Sequence, residues 1–305
     1  CVPDSKLVQP RVGFNYTFDS ERPMQLRGGV GLFGGAAPNV WLSGAYSNTG
    51  LNYVEYTCNG AAAPVFSPNP APNVPANCSA GNARANVDII EPGFKLPSVW
   101  KSNLAFDHEL PWYGIVASAE ALFTKVNDGV FVQRLDLYSD AAGSGATAYG
   151  QDGRPLFWNE AGLNPANAGR FGIDPGTNGA TAKYNRPDGI GDVLLVRNTD
   201  QGSSTQLTFG LDKPLAENWG WSLYYTYTRA KEVSPMSSSQ NTSNWGNTPI
   251  GVVNEDVAYN SRYAMKDRVS GQLHWQKAFF GDYKTRVSAF YEGRSGRPFS
   301  YIFYN

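Results

Sequence analysis

Apolar and polar side chains alternate with a period of two through much of this 305-residue chain. Such alternation is the pattern of a β-strand that turns one face to an apolar environment and the other to water. In residues 10–18 it places Val12, Phe14 and Tyr16 on one face, and in residues 263–279 it does the same for Val269 and Leu273. We predict eight such strands in four hairpins, which pair residues 10–18 with 24–33, 95–110 with 115–138, 193–215 with 221–233, and 263–279 with 284–304.

The connections between the predicted strands are alternately short and long. Every turn within a hairpin is short, whereas the connections between hairpins span residues 34–94, 139–192 and 234–262. Three of the short turns carry bulky aromatics, which are typical of a bilayer interface because their rings are amphipathic. We predict membrane-interface positions for Trp112, Tyr113, Trp219, Trp221, Phe279, Phe280 and Tyr283.

These features predict an all-β fold, namely an antiparallel transmembrane β-barrel with short periplasmic turns and long extracellular loops. The composition agrees, since the chain has 33 Gly, 20 Pro and 13% aromatic residues. No run approaches the roughly 18 apolar residues of a spanning helix. A mean hydropathy of −0.38 suits strands that show half of their side chains to a wet lumen. A formal net charge of −1 gives no sign of nucleic-acid binding.

The order of the predicted strands bears on the extent of the barrel. The last strand runs toward the long-loop side, whereas single-chain outer-membrane barrels return their C-terminus to the periplasm. We therefore expect residues 1–305 to form part of one outer-membrane β-barrel domain, with further C-terminal strands outside this chain. Loops of about 60 residues favour a barrel wider than eight strands.

Several stretches of the chain resemble one family of outer-membrane proteins. RGGVGLF at 27–33, followed by PNVWLS at 38–43 and YSNTG at 46–50, resembles the barrel of Oar-like TonB-dependent receptors. FKLPSVWK at 94–101, VRNTDQGS at 196–203 and FYEGRSGRP at 290–298 are similar to the same family. The similar stretches lie in most of the predicted hairpins. They indicate the family more specifically than they indicate the transported solute.

The resemblance implies a transporter with an N-terminal carboxypeptidase-regulatory-like domain, a plug and a barrel of about 22 strands. Its implied function is the movement of a bulky solute (a peptide, protein or glycan) across the Gram-negative outer membrane. The implied partners are the outer-membrane lipid, an extracellular ligand and the TonB complex, which would act through a plug outside this sequence. No cofactor is implied.

Polar residues on the other face of the predicted strands are candidates for contact with a plug or a substrate path. A wet, charged interior is general to wide barrels and also explains each of these residues singly. Together they predict an aqueous lumen lined by Arg27, Asn103, Asp107, Glu120, Arg268, Gln272, Arg286 and Glu292.

The long loops carry aromatics among Asn, Gly and Ser, a composition suited to stacking on sugars or holding peptide side chains. The alternative is that these rings form small clusters that keep the loops folded. Two arginines near the outer end of the last strand are candidates for anionic cargo or lipopolysaccharide phosphate, or for a loop salt bridge. The candidate ligand-binding residues are Trp41, Tyr46, Tyr138, Trp158, Tyr184, Trp245, Arg294 and Arg297.

Cys58 and Cys78 flank a stretch rich in Pro, Ala and Asn, and we predict a disulfide between them, which fits an oxidising compartment. Enzyme chemistry is not evident. His108 and His274 are the only histidines and have no metal-ligand spacing to Cys or carboxylates. The acidic segments of the loops do not match a calcium-binding loop. The sequence thus predicts neither an enzyme nor a metal centre.

Two alternatives remain open from the sequence. One is a soluble, surface-exposed β-sandwich or propeller that binds or cleaves polysaccharide, in which the aromatics would be core and platform residues. The other is a passive porin. Long strands with aromatics at turn ends favour the barrel, whereas short strands with aromatics spread along them would favour the soluble fold.

Overall fold

The computed structural model describes residues 6–51, 58, 63, 68, 85–137, 148–149, 152–157, 189–247, 251–252 and 254–301. The strands are β1 (Arg11–Phe18), β2 (Met24–Gly34), β3 (Ala85–Ile90), β4 (Ser98–Glu109), β5 (Val116–Arg134), β6 (Ala148–Tyr149), β7 (Pro155–Leu156), β8 (Ile190–Thr199), β9 (Ser203–Ala216), β10 (Trp219–Glu232), β11 (Tyr259–Asn260), β12 (Asp267–Phe280) and β13 (Tyr283–Arg294). Two helices, α1 (Asn39–Ser47) and α2 (Asn241–Gly246), lie in the long connections. Among the described residues no helix has the length and apolar character needed to cross a membrane.

Eight strands follow one another in a single antiparallel path, in the order β1-β2-β4-β5-β9-β10-β12-β13. All four predicted hairpins are present, and the turns within them are short. The turn between β9 and β10 consists of Glu217 and Asn218, whose φ angles are 53° and 73°. Two residues with positive φ make a hairpin turn that follows the right-handed twist of the strands. The long connections leave from the other end of the sheet, as the sequence predicts.

One predicted strand, residues 193–215, is interrupted at residues 200–202 and forms β8 and β9. Both parts run antiparallel along the same neighbour. β8 pairs with the part of β5 from Gly129 onward, and β9 pairs with the part of β5 up to Lys125. β5 therefore continues beyond the eight-strand path and carries β8 with it.

The interruption depends on Gly202. Its φ is 127°, and its carbonyl accepts the Val126 N–H at 3.1 Å. A Cβ at this position would lie 2.8 Å from Val126 Cγ2 and 3.3 Å from the carbonyl oxygen of Lys231. Glycine is required here because the backbone passes close to both neighbouring strands in a left-handed conformation.

The cross-strand registers separate the sheet into an apolar face and a polar face. One row of the apolar face runs through Tyr16, Leu26, Phe106, Ala119, Phe209, Tyr225 and Val269. The adjacent row, on the opposite face, runs through Asn15, Arg27, Ala105, Glu120, Thr208, Thr226, Arg268 and Arg294. Strand pairing thus combines the alternating side chains of the eight strands into two continuous surfaces, one apolar and one polar.

The apolar face of the described strands is uncovered. Phe209, Leu223 and Leu273 expose 53%, 46% and 49% of their surface. In a soluble sandwich these side chains would form the core between two sheets. The soluble-sandwich alternative is therefore wrong, and the exposed face has the character of a surface in contact with lipid.

The apolar band also drifts in register across the sheet. Toward the long-loop end it stops at Leu32 on β2 and at Tyr291 on β13. Through the successive pairings Leu32 aligns with Lys231 on β10, whereas Tyr291 aligns with Leu223, eight residues nearer the turn end. Over six strand steps, with strands ~4.8 Å apart and a rise of ~3.4 Å per residue, this drift is a tilt of about 40°. Strands of closed barrels tilt by about 35–45°.

The buried core lies at the long-loop end, in a part of the chain that we call the loop assembly: α1, α2, β3 with the residues after it up to Leu96, β8, and β5 from Gly129 onward. Its centre is a cluster of five buried side chains, Phe94, Val130, Val132, Leu194 and Val196. β3 pairs with β8 in parallel, and β8 pairs with β5. The alternation pattern of the sequence does not predict this parallel pair.

The two helices are not predicted from the sequence either. α1 has no side-chain cap and no acidic residue in its first turn, so its local signal is weak. Trp41 and Leu42 of α1 and Trp245 of α2 pack against the buried core. Tertiary packing therefore stabilises these short helices, which are too short to be stable alone.

Leu273→Arg tests the assignment of the apolar face to lipid. Leu273 lies near the middle of the apolar band of β12, between Val269 and Trp275. Since an arginine at the bilayer midplane costs about 2–4 kcal/mol, we expect the full-length protein to lose that much free energy of unfolding from lipid vesicles in denaturant titrations. Gln272→Arg, on the polar face, is the matched control and should change it by less than about 1 kcal/mol. Equal losses in both variants would contradict the assignment.

Candidate functional site

The polar face of the sheet is charged, and many of its charges are paired. Arg27 Nη2 lies 3.3 Å from Asp107 Oδ2, and Arg268 Nε lies 3.3 Å from Glu292 Oε1. Arg294 Nη1 shares the Glu292 carboxylate at 3.8 Å. All eight residues predicted to line a lumen lie on this face: Arg27, Asn103, Asp107, Glu120, Arg268, Gln272, Arg286 and Glu292. That this face lines a water-filled lumen stays a prediction.

The aromatics predicted for the membrane interface lie in or beside the short turns, at the end of the sheet opposite the loop assembly. They are Trp112, Tyr113, Trp219, Trp221, Phe279, Phe280 and Tyr283. Tyr113 has a φ of 55°, Asn218 a φ of 73° and Gly281 a φ of 57°, so all three of these turns contain a left-handed residue. The position agrees with the prediction, and contact with the bilayer interface stays a prediction.

The sequence does not predict the surroundings of Lys213, a cation at the turn end. Lys213 lies on the apolar face opposite Trp221, yet it is only 4% exposed. Its ammonium donates to the carbonyl oxygens of Trp219 at 3.0 Å and Ala216 at 3.3 Å, and it lies 4.3 Å from the centroid of the Trp219 ring. By bending toward the turn, the side chain satisfies its charge while its methylenes stay on the apolar surface.

A cavity of about 1180 Å³ opens at the long-loop end. Its wall includes Tyr46 of α1, Asp88 of β3, Glu91 and Lys95 of the following segment, and Asp128 of β5. Tyr46, a predicted ligand-binding aromatic, is 54% exposed. Lys95 Nζ lies 3.8 Å from Asp128 Oδ1, so charges of both signs meet at the wall. The cavity therefore offers an aromatic ring together with hydrogen-bond donors and acceptors.

Two other candidate ligand-binding aromatics have packing contacts, and ligand binding by them stays a prediction. Trp41 and Trp245 contact the buried core of the loop assembly. Their indole N–H groups donate to the carbonyl oxygen of Ser238 at 2.7 Å and to Asn254 Oδ1 at 3.1 Å, respectively. This is the role that the sequence analysis gives as the alternative to ligand binding. The remaining candidates Tyr138, Trp158 and Tyr184 lie outside the described residues.

Asp88 joins three segments of the loop assembly. Its Oδ2 accepts from Asn48 Nδ2 at 3.1 Å, just after α1, and from Asn241 Nδ2 at 3.4 Å, in α2. Its own N–H donates to the Asn48 carbonyl at 2.9 Å. Burial raises the pKa of the Asp88 carboxyl, the hydrogen bonds from the two amides partly offset that rise, and the charge of Asp192 adds to it.

Arg134 is a second buried polar centre of the loop assembly and is only 5% exposed. Its Nε donates to Asp136 Oδ1 at 2.9 Å and its Nη2 to Asp136 Oδ2 at 3.1 Å, while Nη2 also pairs with Asp192. The Asn254 side chain accepts the Arg134 N–H at 2.7 Å and donates to its carbonyl at 3.1 Å. The Trp245 ring centroid lies 5.0 Å from the guanidinium carbon. None of these contacts is predicted from the sequence.

The two candidate arginines near the end of the last strand differ in their surroundings. Arg294 is held on the polar face by Glu292 and approaches Met265 Sδ at 3.5 Å. Arg297 lies 5.7 Å from the centroid of the Tyr263 ring. Arg294 thus forms the salt bridge that the sequence analysis gives as an alternative. Anion binding by either residue stays a prediction.

The remaining candidates for site chemistry have structural partners. His108 stacks on Phe106 with ring centroids 6.3 Å apart, and His274 Nδ1 lies 2.9 Å from Ser288 Oγ. Cys58 is disulfide-bonded. Its predicted partner Cys78 lies outside the described residues, so that pairing stays a prediction. In the part of the chain that the structure describes, no group of three or more His, Cys, Asp or Glu side chains could hold a metal ion.

Comparison with known proteins adds to this geometry. Residues 2–120 match the family model described as an outer membrane beta barrel domain. The chain has the fold of an outer-membrane β-barrel. The location of this barrel is the outer membrane, which explains why its apolar band is left exposed. No curated protein matches the chain.

Solved receptors from Pseudomonas aeruginosa are similar to this barrel. Two mutants of the ferric enterobactin receptor PfeA each match with a TM-score of 0.43 and 14% identity, over 95% of this chain and 28% of the receptor. The siderophore receptor PirA matches with a TM-score of 0.39 and 12% identity, over 93% of this chain and 33% of the receptor. The chain thus spans a third or less of the length of these receptors.

Arg134→Met tests the buried charge network. Loss of the guanidinium leaves the Asp136 and Asp192 carboxylates without their shared cation, and we expect the loop assembly to lose about 3 kcal/mol of local stability. Arg134→Met combined with Asp136→Leu removes both charges of the bidentate pair and should recover at least half of that loss. Hydrogen exchange of loop-assembly amides in the full-length protein measures both effects. Wild-type protection in the single variant would show that the network is not needed.

The raised pKa of Asp88 predicts a pH dependence. A carboxyl whose pKa is higher in the folded than in the unfolded state stabilises the fold at pH values below both, and this contribution is lost as the pH rises through the raised pKa. From the ordinary value of about 3.9 upward, we expect the exchange protection of the Asp88 amide to fall, after correction for intrinsic exchange. Asp88→Asn retains an acceptor for Asn48 and should give a flat profile. Protection that rises with pH in the wild type would overturn this assignment.

Proposed function

We propose that this chain forms part of the wall and the outer mouth of a TonB-dependent transporter of the Oar-like kind, which moves a bulky solute across the outer membrane. The proposed solute is a peptide, a protein or a glycan. The sheet seals against lipid on one face and presents polar groups on the other, and the loop assembly captures the solute without catalysis. The TonB complex is the proposed energy source and acts through a plug.

The observation that carries this proposal is the folded loop assembly with its cavity. A volume of about 1180 Å³ lies above the ~300–1,000 Å³ of sites for drug-sized ligands, and so suits a larger solute. The buried core and the networks of Asp88 and Arg134 hold the wall in place. A passive porin needs a constriction, whereas a receptor needs a preformed capture site of this kind.

The lining of the cavity supports a solute rich in hydroxyl, amide or zwitterionic groups. Tyr46 offers a ring for stacking, Lys95 offers an ammonium, and Glu91 and Asp128 offer carboxylates. A purely cationic or purely anionic wall would select solutes of one charge, whereas this mixture matches the alternating donors and acceptors of a peptide or a glycan.

Permeability of the full-length protein in liposomes separates a gated transporter from a passive porin. We expect liposomes that contain it to stay impermeable to a trisaccharide in swelling assays, because a plugged lumen offers no open path. In cells that produce the protein, we expect accumulation of a fluorescent oligopeptide or oligosaccharide to require the TonB complex. Free swelling, or accumulation that is equal without the TonB complex, would contradict the proposal.

Tyr46→Ala tests the cavity as the capture site. Loss of an aromatic anchor at a binding site weakens affinity about tenfold, and we expect that change in the half-saturating concentration of the accumulated probe. Tyr149→Ala is the matched control, since Tyr149 is exposed and does not line the cavity. Equal affinities in the two variants would place the capture site elsewhere.

A further inference from the structure

The apolar band ends, toward the loop assembly, in a cluster of basic residues. On β5 its last apolar side chain is Phe123, and on β10 it is Tyr227. Lys125 follows Phe123 on the same face, and Arg229 and Lys231 follow Tyr227 on that face. We call Lys125, Arg229 and Lys231 the rim cations. They lie on the outer surface of the wall, away from the polar face.

The strand register holds the rim cations close together. Lys125 and Lys231 both pair with Ser203 of β9, so two strand spacings of ~4.8 Å separate their backbones. Arg229 precedes Lys231 by two residues, about 7 Å along β10, and pairs with Thr205. All three cations are exposed. The long side chains of the rim cations, together with the hydroxyls of Ser203 and Thr205, can reach one tetrahedral anion.

The cluster keeps its positive charge. Among the described residues, neither Arg229 nor Lys231 forms an ion pair. The Lys125 ammonium donates to the backbone carbonyl of Asp200 at 2.7 Å, and this contact directs it toward the break between β8 and β9. The carboxylates of Asp200 and Asp267 accept hydrogen bonds from neutral side-chain donors at 2.6 Å and 2.7 Å. In the described part of the chain no rim cation forms an ion pair with a carboxylate, so the three cations remain open to an external anion.

We propose that the rim cations bind the phosphate groups of the outer-leaflet lipid, lipopolysaccharide. Their place directly beyond the apolar band puts them at headgroup height when the loop assembly faces outward. A phosphate monoester carries about −1.5 to −2 charges and three acceptor oxygens, which suits two ammonium groups and a guanidinium. The proposal rests on the lipid-facing assignment of the apolar face and is independent of transport.

A lipid occupies this site better than a free phosphate does. The band below the cluster continues as an apolar surface through Phe123 and Tyr227, so acyl chains lie along it while the headgroup meets the cations. The capture cavity and the polar face are not part of this surface, so a solute on the transport path does not meet the cluster. Lipid contact thus accounts for both the apolar and the cationic parts of the surface.

The test measures lipid binding by the full-length protein in phosphatidylethanolamine nanodiscs, titrated with lipid A that carries both phosphates. In the triple variant Lys125→Gln/Arg229→Gln/Lys231→Gln we expect the affinity for lipid A to fall at least about tenfold, because three surface charges near the headgroups are lost. Lys125→Arg/Lys231→Arg keeps the charges and should retain wild-type affinity. Heat-modifiable electrophoretic migration verifies that each variant is folded.

The matched control is the triple variant Arg11→Gln/Lys101→Gln/Lys284→Gln, which removes the same charge from the polar face. It should bind lipid A as the wild type does. Equal affinities of the two triple variants, or wild-type binding that is unchanged with dephosphorylated lipid A, would overturn the proposal. Displacement of lipid A by inorganic phosphate at an equal concentration would also overturn it, since the site would then be one for free phosphate.

Discussion

A backbone that enters hydrocarbon must find every hydrogen-bond partner within the protein, because lipid chains offer neither donors nor acceptors. The eight-strand antiparallel path meets this requirement for its inner strands, while β1 and β13 are the two edges of the described sheet. Once the ladder forms, the register decides which side chains share a row, and the rows decide which surface meets lipid. The apolar band, the paired charges of the polar face and the position of the rim cations all follow from this ladder.

The loop assembly is stabilised by different interactions from those of the wall. Beyond the band, water can satisfy the backbone, so the segments there are stabilised by a buried core and by desolvated polar networks. Phe94, Leu194 and Val196 supply the core, while Asp88 and Arg134 join segments that are distant in the sequence. Because burial raises the pKa of Asp88, this region loses stability as the pH rises through that pKa, whereas the wall is held mainly by its ladder.

The sequence predicts the wall well because its signals are local. Period-two alternation, short turns and turn-end aromatics each occupy a few consecutive residues, and they place all eight strands of the path. The interruption at residues 200–202 is missed because alternation continues on both sides of it. The parallel pairing of β3 with β8 joins segments about 100 residues apart, which no local pattern reveals.

Site chemistry is predictable only where the strand pattern positions it. The eight polar-face residues share one face because parity along a strand is visible in the sequence. Lys213 and the network of Arg134 escape notice because their partners come from a turn and from distant loops. The composition of the loops separates their aromatics from those of the wall. Only tertiary packing distinguishes the exposed Tyr46 from the packed Trp41 and Trp245.

The break between β8 and β9 has a consequence for how this protein tolerates insertions and deletions. The ladder resumes in phase after the break. The number of residues between Lys125 and Gly129 on β5 equals the number between their partners Ser203 and Thr199 on the neighbouring segment. One extra residue in β5 at this point would invert the inward and outward positions of every side chain above it and expose Val130 and Val132. Length variation among related chains is therefore expected to avoid this crossing, or to occur there on both strands at once.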